Sequence, residues 1–158
     1  PVDRGYTIIP PSSVAAYTKD ELADLYGNSK EAFTRVAEIV LANDKICDII
    51  TRNYDDNYGI DSKVAQSFFS EQDWSRVEEL FKIVKPYKIM LSLRDNDRVV
   101  YFDFAPLKAD GKDINISLYY FKNSGTIELY KLYSWVGTLE QLDGYWYIGE
   151  HVWQYPLV

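Results

Sequence analysis

Two periods of apolar residues meet at Pro86. Before it the spacing is helical. Thr18 followed by Glu21 has capping-box spacing, and Gly27 suits the end of a short helix. Asn28 followed by Glu31 repeats the signal, and Phe33, Val36, Ala37 and Val40 mark one face of the next helix. Asn43 and Asp44 interrupt or re-cap it, while Ile46, Cys47, Ile49 and Ile50 continue the apolar content. A polar loop follows from Asn53 to Ser62, turning at Gly59. Ser70 with Asp73 caps the clearest helix, whose buried stripe is Trp74, Val77, Leu80, Phe81 and Val84. Pro86 ends it, because the residue before a proline is pushed out of the α region.

After Pro86 the period is two. Tyr87, Ile89, Leu91 and Leu93 alternate with Lys88, Ser92 and Arg94. Asp95 to Asp97 is turn chemistry, and the chain returns from Arg98 to Ala105 as a strand apolar on both faces. A turn at 109–112 leads to a strand from Ile114 to Phe121; Asn123-Ser124-Gly125 turns into a fourth from Thr126 to Tyr133. Asp143-Gly144 precedes a last strand from Tyr145 to Tyr155. Short polar turns imply antiparallel neighbours, since a parallel pair needs a long crossover. The pattern predicts an α+β fold: three or four N-terminal helices on one face of a roughly five-stranded antiparallel meander. Residues 1–17, with Pro10-Pro11 and Ser12-Ser13, read as an extended lead-in segment, either a tether or a strap across the domain. Residues 18–158 read as one domain, helical over 18–85 and sheet over 87–155, since neither part is large enough for its own core.

Composition sharpens this picture. The chain has 158 residues, 47% of them apolar, which excludes disorder, and no apolar run reaches membrane-spanning length. With 24 acidic against 17 basic side chains, the net charge of −7 argues against nucleic acid as a partner. One cysteine and one histidine leave no disulfide framework, no multi-histidine metal site and no expected cofactor. Aligning Gly59 with the invariant glycine of an EF-hand puts Tyr54 and Ala65 where carboxylates are needed, so 55–59 reads as a solvated loop. Cys47 lies in an apolar helical pattern and reads as an inert core thiol. Pro1 either follows ordinary removal of an initiator Met or begins a chain from which a signal or anchor has been cut.

Candidate chemistry comes from strand parity. Val100, Phe102, Phe104, Ile116, Leu118, Tyr120, Trp146, Ile148 and Val152 share the side expected to face the helices. The other side gathers Tyr101, Asp103, Tyr119, Tyr147, His151 and Trp153, and these are the candidate binding residues. Tyrosine and tryptophan present apolar bodies with polar tips, as contact surfaces do. The same residues also suit a plain strand face, a face under the lead-in segment, or a homodimer contact. Asp103, among apolar neighbours, needs a partner if buried, and burial raises a carboxyl pKa as a general acid requires.

The segments Arg98–Phe104, Ile116–Tyr120 and Leu142–Ile148 together resemble small uncharacterised bacterial proteins of Gram-positive type, often exported or membrane-tethered. There, a helical region precedes a sheet ending in a D/N-x-W-Y-type strand. The resemblance spans about residues 74–150, and Leu118 stands where that pattern often has Gly. It implies an extracytoplasmic location and transfers no activity. The leading expectation is a non-enzymatic interaction domain that contacts a protein or small ligand through the aromatic sheet face or an adjoining cleft. Two alternatives stand beside it: an acidic, immunity-type protein that neutralises a basic toxin, and a small enzyme with a helix–sheet pocket using Asp103 and His151.

Overall fold

A computed structural model describes residues 4–10, 14–47, 59–94, 97–122, 125–133 and 136–154. The strands are β1 (Arg4–Ile9), β2 (Gly59–Asp61), β3 (Lys88–Arg94), β4 (Asp97–Asp103), β5 (Leu107–Ala109), β6 (Lys112–Phe121), β7 (Thr138–Asp143) and β8 (Trp146–Gln154). The helices are α1 (Lys19–Ala42), α2 (Ser62–Gln66), α3 (Glu71–Val84) and α4 (Gly125–Tyr130). Seven strands run in the order β2-β1-β3-β4-β6-β8-β7, and the short β5 pairs with the start of β6. Every pairing is antiparallel except β1 with β2.

The fold class is α+β with an antiparallel sheet, but the count and layout differ from a five-stranded meander. Besides β2, formed by Gly59–Asp61 at the end of the expected 53–62 loop, and the short β5 (Leu107–Ala109), three corrections account for this. First, residues 4–9 of the lead-in form β1, with Tyr6 and Ile8 buried, against β3. Gly5 makes the approach possible, because a Cβ there would run into the Leu91 carbonyl. Second, the expected strand over 126–133 is the helix α4. Ile127 and Tyr130, three apart, are buried, while Glu128 and Lys131, also three apart, form an exposed ion pair at 2.9 Å. That is helical spacing in a segment whose Thr, Ile and Tyr suggest a strand. Third, β7 was not expected, and it lies outside β8 on the sheet edge, so β6 pairs with the last strand and not with its successor.

The helical layer follows its capping signals. Thr18 accepts a hydrogen bond from the Glu21 amide and Ser70 from the Asp73 amide, both at 3.1 Å. The two helices expected around Gly27 run on as one, with the break surviving as a non-helical Ser29 (φ −129°). α3 ends on Lys85 in the left-handed conformation, and Pro86 follows. Trp74, Val77, Leu80, Phe81 and Val84 of α3 join Phe33, Val36 and Val40 of α1 in one cluster with Phe102, Leu118, Trp146 and Ile148 of the sheet. Cys47 is buried in the same cluster. The turns expected at 95–96 and 123–124, most of the 53–62 loop and its calcium reading, the Pro11–Ser13 stretch and Tyr155 lie outside the described residues. No described helix is long and apolar enough to cross a membrane.

Candidate functional site

Strand register decides which candidate residues meet. On the sheet face away from α1, Tyr101, Tyr119 and Tyr147 form one cross-strand row over β4, β6 and β8. Asp103, Ser117 and Gly149 form the next row of the same parity, followed by Asn115 beside His151 and Asp113 beside Trp153. All six candidate residues therefore share a face, as parity predicts, but its two ends differ.

The Tyr101 end is a second hydrophobic core. Tyr101 and Tyr119 are only 8% and 2% exposed, and their rings stack at 5.5 Å. Ile127 and Tyr130 of α4, with Val136 just beyond it, close over Val99, Tyr101, Tyr119 and Phe121. The cover is the chain's own β6–β7 connection, where the sequence suggested solvent, the lead-in or a second copy. Tyr147 packs at its margin. Burial, reinforced by the nearby Asp103 charge, pushes the Tyr119 phenol far above its ordinary value.

The Asp103 end is open. Here β4 leaves β6 after Asp103, and β5 takes its place only at Leu107. The gap is a cleft of about 360 Å³, with Asp103, Ser117, Asn115 and Lys88 among its polar lining and Tyr87 and Trp153 among its aromatic residues. Ser117 donates its hydroxyl to Asp103 Oδ1 at 2.5 Å, and the Lys88 ammonium stands 3.6 Å from Oδ2. The Asp103 side chain keeps 24% of its exposure. Burial pushes its carboxyl above the ordinary range, although Ser117 and Lys88 pull the other way. Tyr87 reaches the cleft because its amide donates to the Asp103 carbonyl at 2.7 Å.

Trp153 lines the cleft from β8, and His151 packs against it. Trp153 is 51% exposed, and the His151 ring meets it edge to face at 4.3 Å between centroids. The His151 Nε2 is buried without a hydrogen-bond partner among the described residues. Among the described residues no three His, Cys, Asp or Glu side chains are grouped to hold a metal ion. The structure thus brings Asp103, Tyr101, Tyr119 and Trp153 to one cleft, with His151 behind Trp153. The sequence reading missed Tyr87, Lys88, Asn115 and Ser117. Lys88 and Ser117 stand opposite Asp103 only through the β3–β4 and β4–β6 registers. A wider groove of about 520 Å³ lies at the Ser29 break between α1 and α3, lined by charges of both signs (Lys30, Glu31, Arg35, Arg76, Glu79).

No protein family, no curated protein and no solved structure matches this chain.

Proposed function

We propose that this chain is a non-enzymatic binding domain that takes a small polar ligand into the cleft at the Asp103 end of its aromatic sheet face. One observation carries the reading: a polar floor of Asp103, Ser117 and Asn115 lies against a half-exposed indole, Trp153. Sites for small molecules combine concavity, apolar walls and a few convergent polar groups. A volume of about 360 Å³ lies at the lower end of their usual range. Burial of Tyr101 and Tyr119 moves the contact surface off the flat face and into this cleft.

A fragment library screened by amide chemical shifts tests the reading. Binders are expected to move Lys88, Asp103, Asn115, Ser117 and Trp153 together. Hits that move only other regions, or no hits at all, would refute it.

Catalysis is a second reading, favoured by the raised Asp103 carboxyl in contact with Ser117. It requires turnover of some compound bound in the cleft, abolished by Asp103→Asn while binding persists. The immunity-type alternative draws on the net charge of −7. However, Glu38, Asp44, Glu140 and Asp143 are each paired with a Lys or Arg, which disperses the acidic field a basic partner would seek.

A further inference from the structure

The charges in the cleft cancel. Lys88 and Asp103 face each other across 3.6 Å, and Lys88 also stands 5.9 Å from the centre of the Tyr87 ring. The position a ligand cation would take, between a carboxylate and an aromatic face, is already held by the protein's own ammonium. A singly charged ligand would pair with one member and leave the other partly buried and unpaired, which is costly. A hydroxyl meets no such conflict, because it both donates and accepts. A carboxylate has about four acceptor positions. On Asp103, Ser117 occupies one at Oδ1 and Lys88 faces Oδ2, so acceptor capacity remains. Asn115 adds an amide, which likewise donates and accepts.

The wall fits the same chemistry. Trp153 offers a half-exposed indole, and the C–H face of a saturated ring carries the positive edge that the negative face of an indole attracts. The His151 ring, 4.3 Å away and inclined at 76°, packs against the indole. A platform held in place before binding loses less freedom when the ligand arrives.

We propose that the cleft takes a neutral, hydroxyl-rich saturated ring, a pyranose unit of a glycan, stacked on Trp153 and hydrogen-bonded by Asp103, Lys88 and Asn115. This rests on the reading of the cleft as a binding site. His151 is then a positioning residue acting through Trp153.

The test titrates the protein with glucose, galactose, mannose, N-acetylglucosamine and maltose, followed by amide shifts and saturation transfer to the sugar. Glycine and glycine betaine serve as zwitterionic probes and tetramethylammonium as a cationic one. At least one sugar is expected to bind at millimolar concentration and to move Lys88, Asp103 and Trp153. Trp153→Ala should weaken it at least tenfold. His151→Ala should weaken it about fivefold, and His151→Phe should restore most of that loss by keeping an edge against the indole. A merely structural His151 would instead lower the melting temperature and leave affinity unchanged, which overturns its assigned role. Cleft binding by the charged probes or by unrelated fragments, with no sugar bound, overturns the ligand class and leaves the cleft reading intact. If neither sugars, charged probes nor fragments move these residues, both fail.

Discussion

Tyr130→Ala asks whether the Tyr101 end of the aromatic face is core or contact surface. Tyr130 is 3% exposed and meets Phe121, Tyr119 and Tyr133 edge to face, with centroids 5.1, 6.0 and 5.4 Å away. A buried aromatic ring removes roughly 150–250 Å² from water, worth about 4–6 kcal/mol at 25 cal/mol per Å² as an upper estimate. Alanine keeps a small part of that, so the loss should be about 3–5 kcal/mol, the usual range for a large aromatic cut to alanine. The helix adds a reason. Six residues cannot hold a helix alone, so α4 depends on Ile127 and Tyr130 being anchored. Urea unfolding followed by circular dichroism measures the change. With a slope of about 2 kcal/mol per molar, the midpoint should fall by about 1.5–2.5 M. Trp153→Ala, at a half-exposed position, should cost less than about 1 kcal/mol. If Tyr130→Ala also costs less than about 1 kcal/mol, α4 does not close a core, and the whole aromatic face returns as a candidate contact surface.

Four further outcomes follow from particular positions. Burial pushes the Glu38 carboxyl up, but hydrogen bonds from Tyr120 and Lys122 outweigh it and hold the carboxyl below its ordinary value. Its contribution is therefore full above the unfolded pKa and lost as pH falls through the lower native one, so urea midpoints of wild type and Glu38→Gln should converge in acid. Asp103 behaves oppositely: its native carboxyl is raised, so stability is highest below the unfolded pKa and declines as pH rises through the native one. Against Asp103→Asn, the wild type should lose ground with increasing pH over that window, and an advantage that grows would contradict the burial. Gly137→Ala should destabilise by more than about 1 kcal/mol, because φ is +68° and a Cβ would strike the Glu150 carbonyl. Gly27→Ala meets nothing and should gain up to about 1 kcal/mol in thermal melts.

Where local signals and tertiary packing agreed, the sequence was readable. Ser70, Pro86 and the stripe from Trp74 to Val84 define α3 almost to the residue. The parity of β4, β6 and β8 sorted both faces correctly because the period of a strand is unambiguous over seven to ten residues. Short elements carry too little local signal to be legible. β1 has only two buried apolar side chains at alternate positions, Tyr6 and Ile8, with Thr7 buried between them, in a segment otherwise marked by prolines and serines. α4 spans less than two turns and is rich in strand-forming residues. Its burial comes from what lies beneath it, which no local window contains. The same limit hid half of the cleft. Asp103 was conspicuous as a carboxylate among apolar residues, but Lys88 and Ser117 are ordinary polar positions until strand pairing sets them beside it.

Element lengths explain why the face has an open end. A strand of ten residues such as β6 runs about 33 Å, whereas a helix of six residues such as α4 covers about 9 Å. Such a helix can seal the rows of Phe121 and Tyr119, but it cannot reach those of Asn115 and Asp113. On the opposite face α1, with 24 residues, is long enough to shield the whole width of the central strands, and that side holds the larger core. The Asn115 row also falls where β4 has departed and β5 has yet to begin, so a lapse in the upper layer coincides with a lapse in the sheet itself. A carboxylate at the last paired position of β4 is then buried enough to be shifted and open enough to be reached. The polar rows of the face fall on its uncovered length and its apolar rows under α4. This division is what the proposed binding role at the cleft rests on.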